Sequence, residues 1–96
     1  MANNFKDIPL DNNTSRKRFE MNVNGSKAFL EYNLENNLLT LVHTEVPETL
    51  RGQGAGSAII FKTLEYAREN NFTIKPVCPF VVAYIQRHPE WQKYTQ

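Results

Sequence analysis

The sequence predicts an α/β fold of the mixed-sheet (α+β) kind: a three-strand antiparallel meander, then a helix, a parallel strand and a second helix. Three observations predict it. Residues 18–46 hold runs that alternate apolar and polar with the period of two that a half-buried strand requires. Two polar turns, Asn24-Gly25-Ser26 and Glu35-Asn36-Asn37, interrupt those runs at hairpin spacing. Beyond Pro47 the period lengthens to that of a helix, and a second helical pattern follows a short strand.

Residues 1–17 are polar and Asn-rich, and are read as a loose N-terminal segment with a short extended piece around Phe5 to Leu10. Residues 18–96 form a single domain. The basic cluster Arg16, Lys17, Arg18 is read as solvated charge at the entry to a strand rather than a phosphate contact. Phe19, Met21 and Val23 share one strand face, and Glu20, Asn22 and Asn24 the other. Asn-Gly tolerates positive φ at both turn positions and so closes a tight hairpin. The second strand puts Ala28, Leu30, Tyr32 and Leu34 on one face. The third, Leu38 to Val46, is more continuously apolar and is expected to be central and the most buried.

Gly54 to Asn70 reads as a helix, with Ile60, Leu64 and Ala67 as its apolar stripe. Asn70-Asn71 suits its C-terminal end. Phe72 to Val77 is a short strand. A helix separates it from the third strand, so the two are expected to be parallel neighbours joined by a right-handed crossover. Cys78 then caps a second helix that has Pro79 at its first position and Val81, Tyr84, Ile85 and His88 along one face. Pro89 interrupts it, and Glu90 to Tyr94 form a last turn. Trp91 and Tyr94 are read as an aromatic seal on the core.

With 96 residues, one domain is the natural reading. The chain is 41% hydrophobic and 22% charged, which is ordinary globular composition. Eleven Lys and Arg face ten Asp and Glu, for a net charge of +1. That balance argues against a surface built mainly for nucleic acid or anionic lipid. A nucleic-acid-binding reading would rest only on the Arg16–Arg18 cluster and the aromatics. The single cysteine, Cys78, excludes an intrachain disulfide and a Cys-rich zinc site, and suits a reducing compartment. No His, Asp and Glu cluster has metal spacing. The apolar runs are too short to span a bilayer, and the N-terminus has no apolar signal core, so a cytoplasmic location is expected.

The stretch Glu45-Val-Pro-Glu-Thr-Leu-Arg-Gly-Gln-Gly-Ala-Gly-Ser57 carries the chemistry. Gly52, Gly54 and Gly56 alternate between a strand and a helix. Glycine lets a ligand approach the backbone. The first-turn N–H groups of a helix have no internal partner and sit at the positive end of its dipole. Together they suit a phosphate or diphosphate. A Walker A loop would need Lys after its last glycine, and Ser57-Ala58 follows Gly56. A G-x-G-x-x-G fingerprint also fails, because the sixth position from Gly52 is Ser57 and from Gly54 is Ile59.

Arg51-Gly52-Gln53-Gly54-Ala55-Gly56 does fit Q/R-x-x-G-x-G/A, and so resembles the diphosphate loop of the GNAT superfamily of acetyl-CoA-dependent N-acetyltransferases. Val46-Pro47-Glu48 and Ser57-Ala58-Ile59-Ile60 are similar to that family's strand exit and helix start. Cys78-Pro79-Phe80-Val81 and Arg87-His88-Pro89-Glu90 resemble segments of a minimal, single-domain subfamily. The resemblance covers roughly Phe19 to Trp91. It implies a GNAT-like fold and transfer of an acyl group, most simply acetyl, from acyl-CoA to an amine acceptor. It implies that the N–H groups of Gln53, Gly54, Ala55, Gly56 and Ser57 hold the diphosphate, with Arg51 and Gly52 in the same cradle. It implies that Val46 pairs through its backbone with the pantetheine arm of coenzyme A. Two departures stand out. Asn24-Gly25-Ser26 leaves no room for the helices that larger members place between their first two strands. The usual general-acid Tyr has no clear counterpart, since the spacing of Tyr84 from the strand end does not match. The first departure motivates an alternative, a non-catalytic CoA-binding or protein-interaction module.

If the two parallel strands are neighbours, Glu45, Val46, the glycine loop and Cys78 meet at their carboxyl ends, where α/β sheets bind ligands. Cys78 sits at a helix N-terminus, where a thiolate is favoured. It is a proton donor to the departing CoA thiolate, an acyl acceptor, or a small buried hydrophobe. Glu45 is the candidate base for the amine, or an outward strand-end residue. His43 lies two positions before Glu45 on the same face. It is a second base or a histidine packed on the sheet. His88 is read as a packing or capping residue.

Overall fold

The computed structural model describes residues 5–96. Five strands make one sheet in the order β1-β2-β3-β4-β5: β1 (Asp11–Asn13), β2 (Arg18–Val23), β3 (Ser26–Glu35), β4 (Leu38–Glu45) and β5 (Thr73–Pro76). The first three pairings are antiparallel, and β4 pairs with β5 in parallel. Helix α1 (Ala55–Glu69) makes the crossover, and helix α2 (Pro79–Arg87) follows β5. Short 3₁₀ turns span Glu48–Leu50 and Pro89–Tyr94.

The turns behave as their residues dictate. Asn24 and Gly25 both take positive φ, 52° and 86°, as do Asn36 and Asn37 at 51° and 66°. Two consecutive left-handed residues match the right-handed twist of a two-residue hairpin. Helix α1 ends in a Schellman motif: Asn71, at φ 60°, donates to the Arg68 carbonyl, and Phe72 N–H to that of Ala67. Pro79 opens α2 at its first turn, where a missing N–H costs nothing.

Three expectations are corrected. The described part of the lead-in is not loose: Phe5 is buried in the core, and Asp11–Asn13 adds a strand to the edge of β2. The extended piece therefore falls after Leu10 rather than across Phe5 to Leu10, because Asn12 meets the Tyr32 hydroxyl at 2.6 Å and Asn13 meets Glu20 at 3.0 Å. β4 is flanked on both sides, but the middle strand is β3, since the added strand lengthens the meander to four. Nor is β4 the most buried throughout, as Val42, His43 and Glu45 are exposed.

The helices cover one face of the sheet. Phe19, Met21, Ala28, Leu30, Leu39 and Leu41 pack there against Ile59, Leu64, Val81 and Ile85. Trp91 closes the far end of this core, edge-on to Phe61 at 6.1 Å and with the Arg68 guanidinium over it at 5.1 Å. The opposite face is held by a polar set. Glu20, 7% exposed, accepts from Arg18 at 2.7 Å and pairs with Lys27 at 3.4 Å, while Arg18 lies over the Phe29 ring at 4.1 Å. Arg18, part of the basic cluster, is thus already engaged.

Candidate active site

β4 contains the irregularity that makes the site. Glu31 faces His43, but Tyr32 faces Leu41, so Val42 is an extra residue bulged out of the ladder. A bulge shifts the alternation of all that follows by one residue. Leu39 and Leu41 point into the core before it, and Thr44 does so after it. Without the bulge His43 would point inward. With it, His43 and Glu45 face solvent, at 51% and 49% side-chain exposure, and His43 Nε2 lies 2.8 Å from Glu45 Oε1. The expectation of a histidine packed on the sheet is therefore corrected. The His43 ring lies edge-on to that of Phe29, with centroids 6.4 Å apart.

The two parallel strands part at the same level. β4–β5 pairing ends at Leu41 and Pro76, and the N–H groups of Val77 and Cys78 both turn to the Leu41 carbonyl. From Val42 on, the β5-facing edge of β4 has no strand partner. Beyond the fork lies a cavity of about 610 Å³. One wall is His43, Thr44, Glu45 and Val46; another is Leu50, Arg51, Gly52, Gly54 and the first turn of α1; the third is Phe80, Tyr84 and Arg87 of α2.

The loop has the form an anion site needs. Gly52 and Gly54 take φ 77° and 85°, which only glycine adopts readily. Gly54 caps α1. The first helical bond runs from Ala58 N–H to the Gly54 carbonyl, which leaves the N–H groups of Ala55, Gly56 and Ser57 without helical partners. Gln53 does not line the cavity; its amide donates to the Thr49 carbonyl at 3.0 Å. A Cβ added at Gly56 would stand 3.5 Å from Val46 Cγ2, so strand exit and helix start are in contact here.

Cys78 lies one layer behind this wall. It caps α2 as the sequence predicts, but it is 1% exposed and does not line the cavity. Its Sγ is 3.4 Å from Thr44 Oγ1, and Thr44 is the residue between it and the cleft. Burial pushes the thiol up. Hydrogen bonds from the Thr44 hydroxyl and from the N–H groups of Val81, Phe80 and Thr44 outweigh that and hold it below its ordinary value. Tyr84 is the residue that sequence reasoning set aside and the structure brings to the cleft. Burial raises its phenol, Glu90 and Glu65 raise it further, and Arg87 offsets them in part, so it stays protonated at neutral pH. The signal was its place one turn after Phe80, on the same helix stripe. His88 does not reach the cavity; it caps α2 and stacks on Tyr84 at 4.3 Å. Among the described residues no group of His, Cys, Asp and Glu could hold a metal ion.

The comparisons with known proteins bear on the family and the fold. A family model described as GCN5-related N-acetyl-transferase matches residues 18–94. Protein NATD1 of Gallus gallus and that of Mus musculus are each 26% identical over 85 residues, covering 85% of this chain and 77% of theirs. The Homo sapiens protein is 26% identical over 85 residues, covering 75% of its length. The solution NMR structure of a GCN5-like protein from Staphylococcus aureus superposes with a TM-score of 0.70 at 26% identity, covering 94% of this chain and 89% of that one. The matched span runs from β2 to the last 3₁₀ turn and so includes the bulge, the fork and the glycine loop. The chain belongs to the GCN5-related N-acetyltransferase family, and by that membership it is an N-acetyltransferase.

Proposed function

We propose that the chain transfers an acetyl group from acetyl-CoA to a primary amine. The observation that carries this reading is the fork between β4 and β5, opening onto the N-terminus of α1. The fork frees the β4 edge at Val46 for an extended amide-bearing arm, and the unpartnered N–H groups of Ala55, Gly56 and Ser57 suit a diphosphate. Coenzyme A joins such an arm to such a diphosphate, and in acetyl-CoA it supplies an acyl group on a good leaving sulfur.

The residues then divide the work. Glu45, paired with His43, takes the proton that the attacking amine must lose. The exposed side of the pair faces the route by which an acceptor enters. Tyr84, kept neutral by burial, gives a proton to the departing sulfur as the carbon–sulfur bond breaks. Cys78 acts through Thr44 as a positioning residue: it holds the Thr44 hydroxyl at the floor of the cleft. The acceptor is an amine of open identity, because the Asn24–Gly25 turn joins β2 directly to β3 and adds no wall on that side. In this reading the acyltransferase domain takes in Phe5 and β1 together with residues 18–96, and it works in the cytoplasm.

Incubation with isotopically labelled acetyl-CoA and a panel of amines, followed by mass spectrometry, tests the reaction. Labelled N-acetyl product is expected, with no label retained on Cys78. Coenzyme A binding without transfer to any amine would leave a binding module instead, and a labelled Cys78 would make the thiol an acyl carrier.

A further inference from the structure

Helix α2 presents Phe80, Tyr84 and Arg87 to the cleft, one turn apart. They stand in order along one wall. Arg87 shares the cavity with Gly52, Gly54, Ser57 and Ile60, and so borders the same space as the glycine loop. Among the described residues it forms no ion pair, whereas Arg18 and Arg68 do. Glu65 and Glu90 act on Tyr84 together with Arg87, and Glu45 lines the same cavity, yet among the described residues none of them forms an ion pair with Arg87. Arg51, the other cation on this cavity, is turned toward the Val46 carbonyl at 3.4 Å.

We infer that Arg87 is a specificity residue that clamps the phosphates of the acyl-CoA from the α2 wall of the cavity that the glycine loop also lines. This rests on the coenzyme A reading above. The loop's backbone N–H donors and the helix dipole bind any small anion weakly, and its own cation, Arg51, is turned toward the Val46 carbonyl. A guanidinium from a second element adds a charge-assisted, forked contact that favours a phosphate chain. It selects donors carrying the diphosphate and discriminates against a bare pantetheine thioester. Arg87 also lies in the last turn of α2, where any cation steadies a helix end. Ligand binding separates the two roles.

The test is calorimetry with coenzyme A and with pantetheine on the parent chain and on Arg87→Met, with thermal melting to confirm folding. Loss of a charge-assisted phosphate contact is expected to weaken coenzyme A by about tenfold or more. The salt dependence of the remaining affinity should be shallower than in the parent. Pantetheine, which has the arm without the diphosphate, should bind both proteins alike, and Arg87→Lys should recover part of the loss. A parent that does not bind coenzyme A overturns the cofactor reading itself. A parent that binds while Arg87→Met binds equally tightly, or loses pantetheine to the same degree, overturns only the assignment of Arg87.

Discussion

Tyr84 and Cys78 divide between them what a leaving thiolate needs. The phenol faces the cleft and is held protonated; the thiol is withdrawn behind Thr44 and tuned the other way. Tyr84→Phe is therefore expected to lower turnover by about a hundredfold or more, the usual loss when a positioned general acid is removed, with little change in coenzyme A affinity. Cys78→Ala is expected to cost less, about tenfold, because it only frees the Thr44 hydroxyl. Steady-state kinetics with each variant check both. A larger loss at Cys78 than at Tyr84 would make the thiol the acting group. At this scale much was legible in the sequence. The place of the glycines, Glu45 and Val46 at the strand ends and the N-cap position of Cys78 follow from spacing; the part given to Val46 rests on the family resemblance. The depth of Cys78 does not, because it depends on which neighbour fills the fork.

The elements follow from local rules where those rules are local. Asn24-Gly25 and Asn36-Asn37 dictate their turns, and Pro79 dictates the start of α2. The bulge at Val42 was hidden, because Leu38 to Val46 has too many apolar residues for its alternation to reveal one extra. The strand at Asp11–Asn13 was hidden for the opposite reason. Its residues are all polar, and its place is fixed by partners distant in sequence, Glu20 and Tyr32. The Glu20 network on the open face gives a test at this level. Arg18 holds the Glu20 carboxyl below its usual range; burial opposes this, and Asn13 and Lys27 assist. A carboxyl depressed in the folded state stabilises the fold above its unfolded value, near 4.5, and that contribution is lost as pH falls through the folded value. Glu20→Gln should thus melt lower at neutral pH, by roughly 4–8 °C if the loss is about 1 kcal/mol. The gap should close on acidification below the glutamate range. Melting curves from pH 7 to pH 3 follow it, and a constant gap would place the effect in packing instead.

For the molecule as a whole, economy is the governing fact. The described residues of this 96-residue chain make one sheet, two α-helices and the cleft at the fork, with Trp91 sealing the end of the core away from the site. Trp91→Ala should cost about 3–5 kcal/mol. A domain of this size has little more than that to lose, so the variant should melt well below the parent or fail to fold. A near-parental melting point would mean that Trp91 is not part of the core. No helix among the described residues is long and apolar enough to cross a membrane. The central claim concerns the fork and the loop beside it. It is tested most directly by calorimetric titration of the full chain with acetyl-CoA, beside Gly54→Val. Valine at φ 85° strains the loop and puts a branched side chain at the start of α1, where a diphosphate would approach. Saturable one-to-one binding by the parent, lost in a folded Gly54→Val, is the expected result. Absence of binding in the parent, or unchanged affinity in the variant, would contradict it.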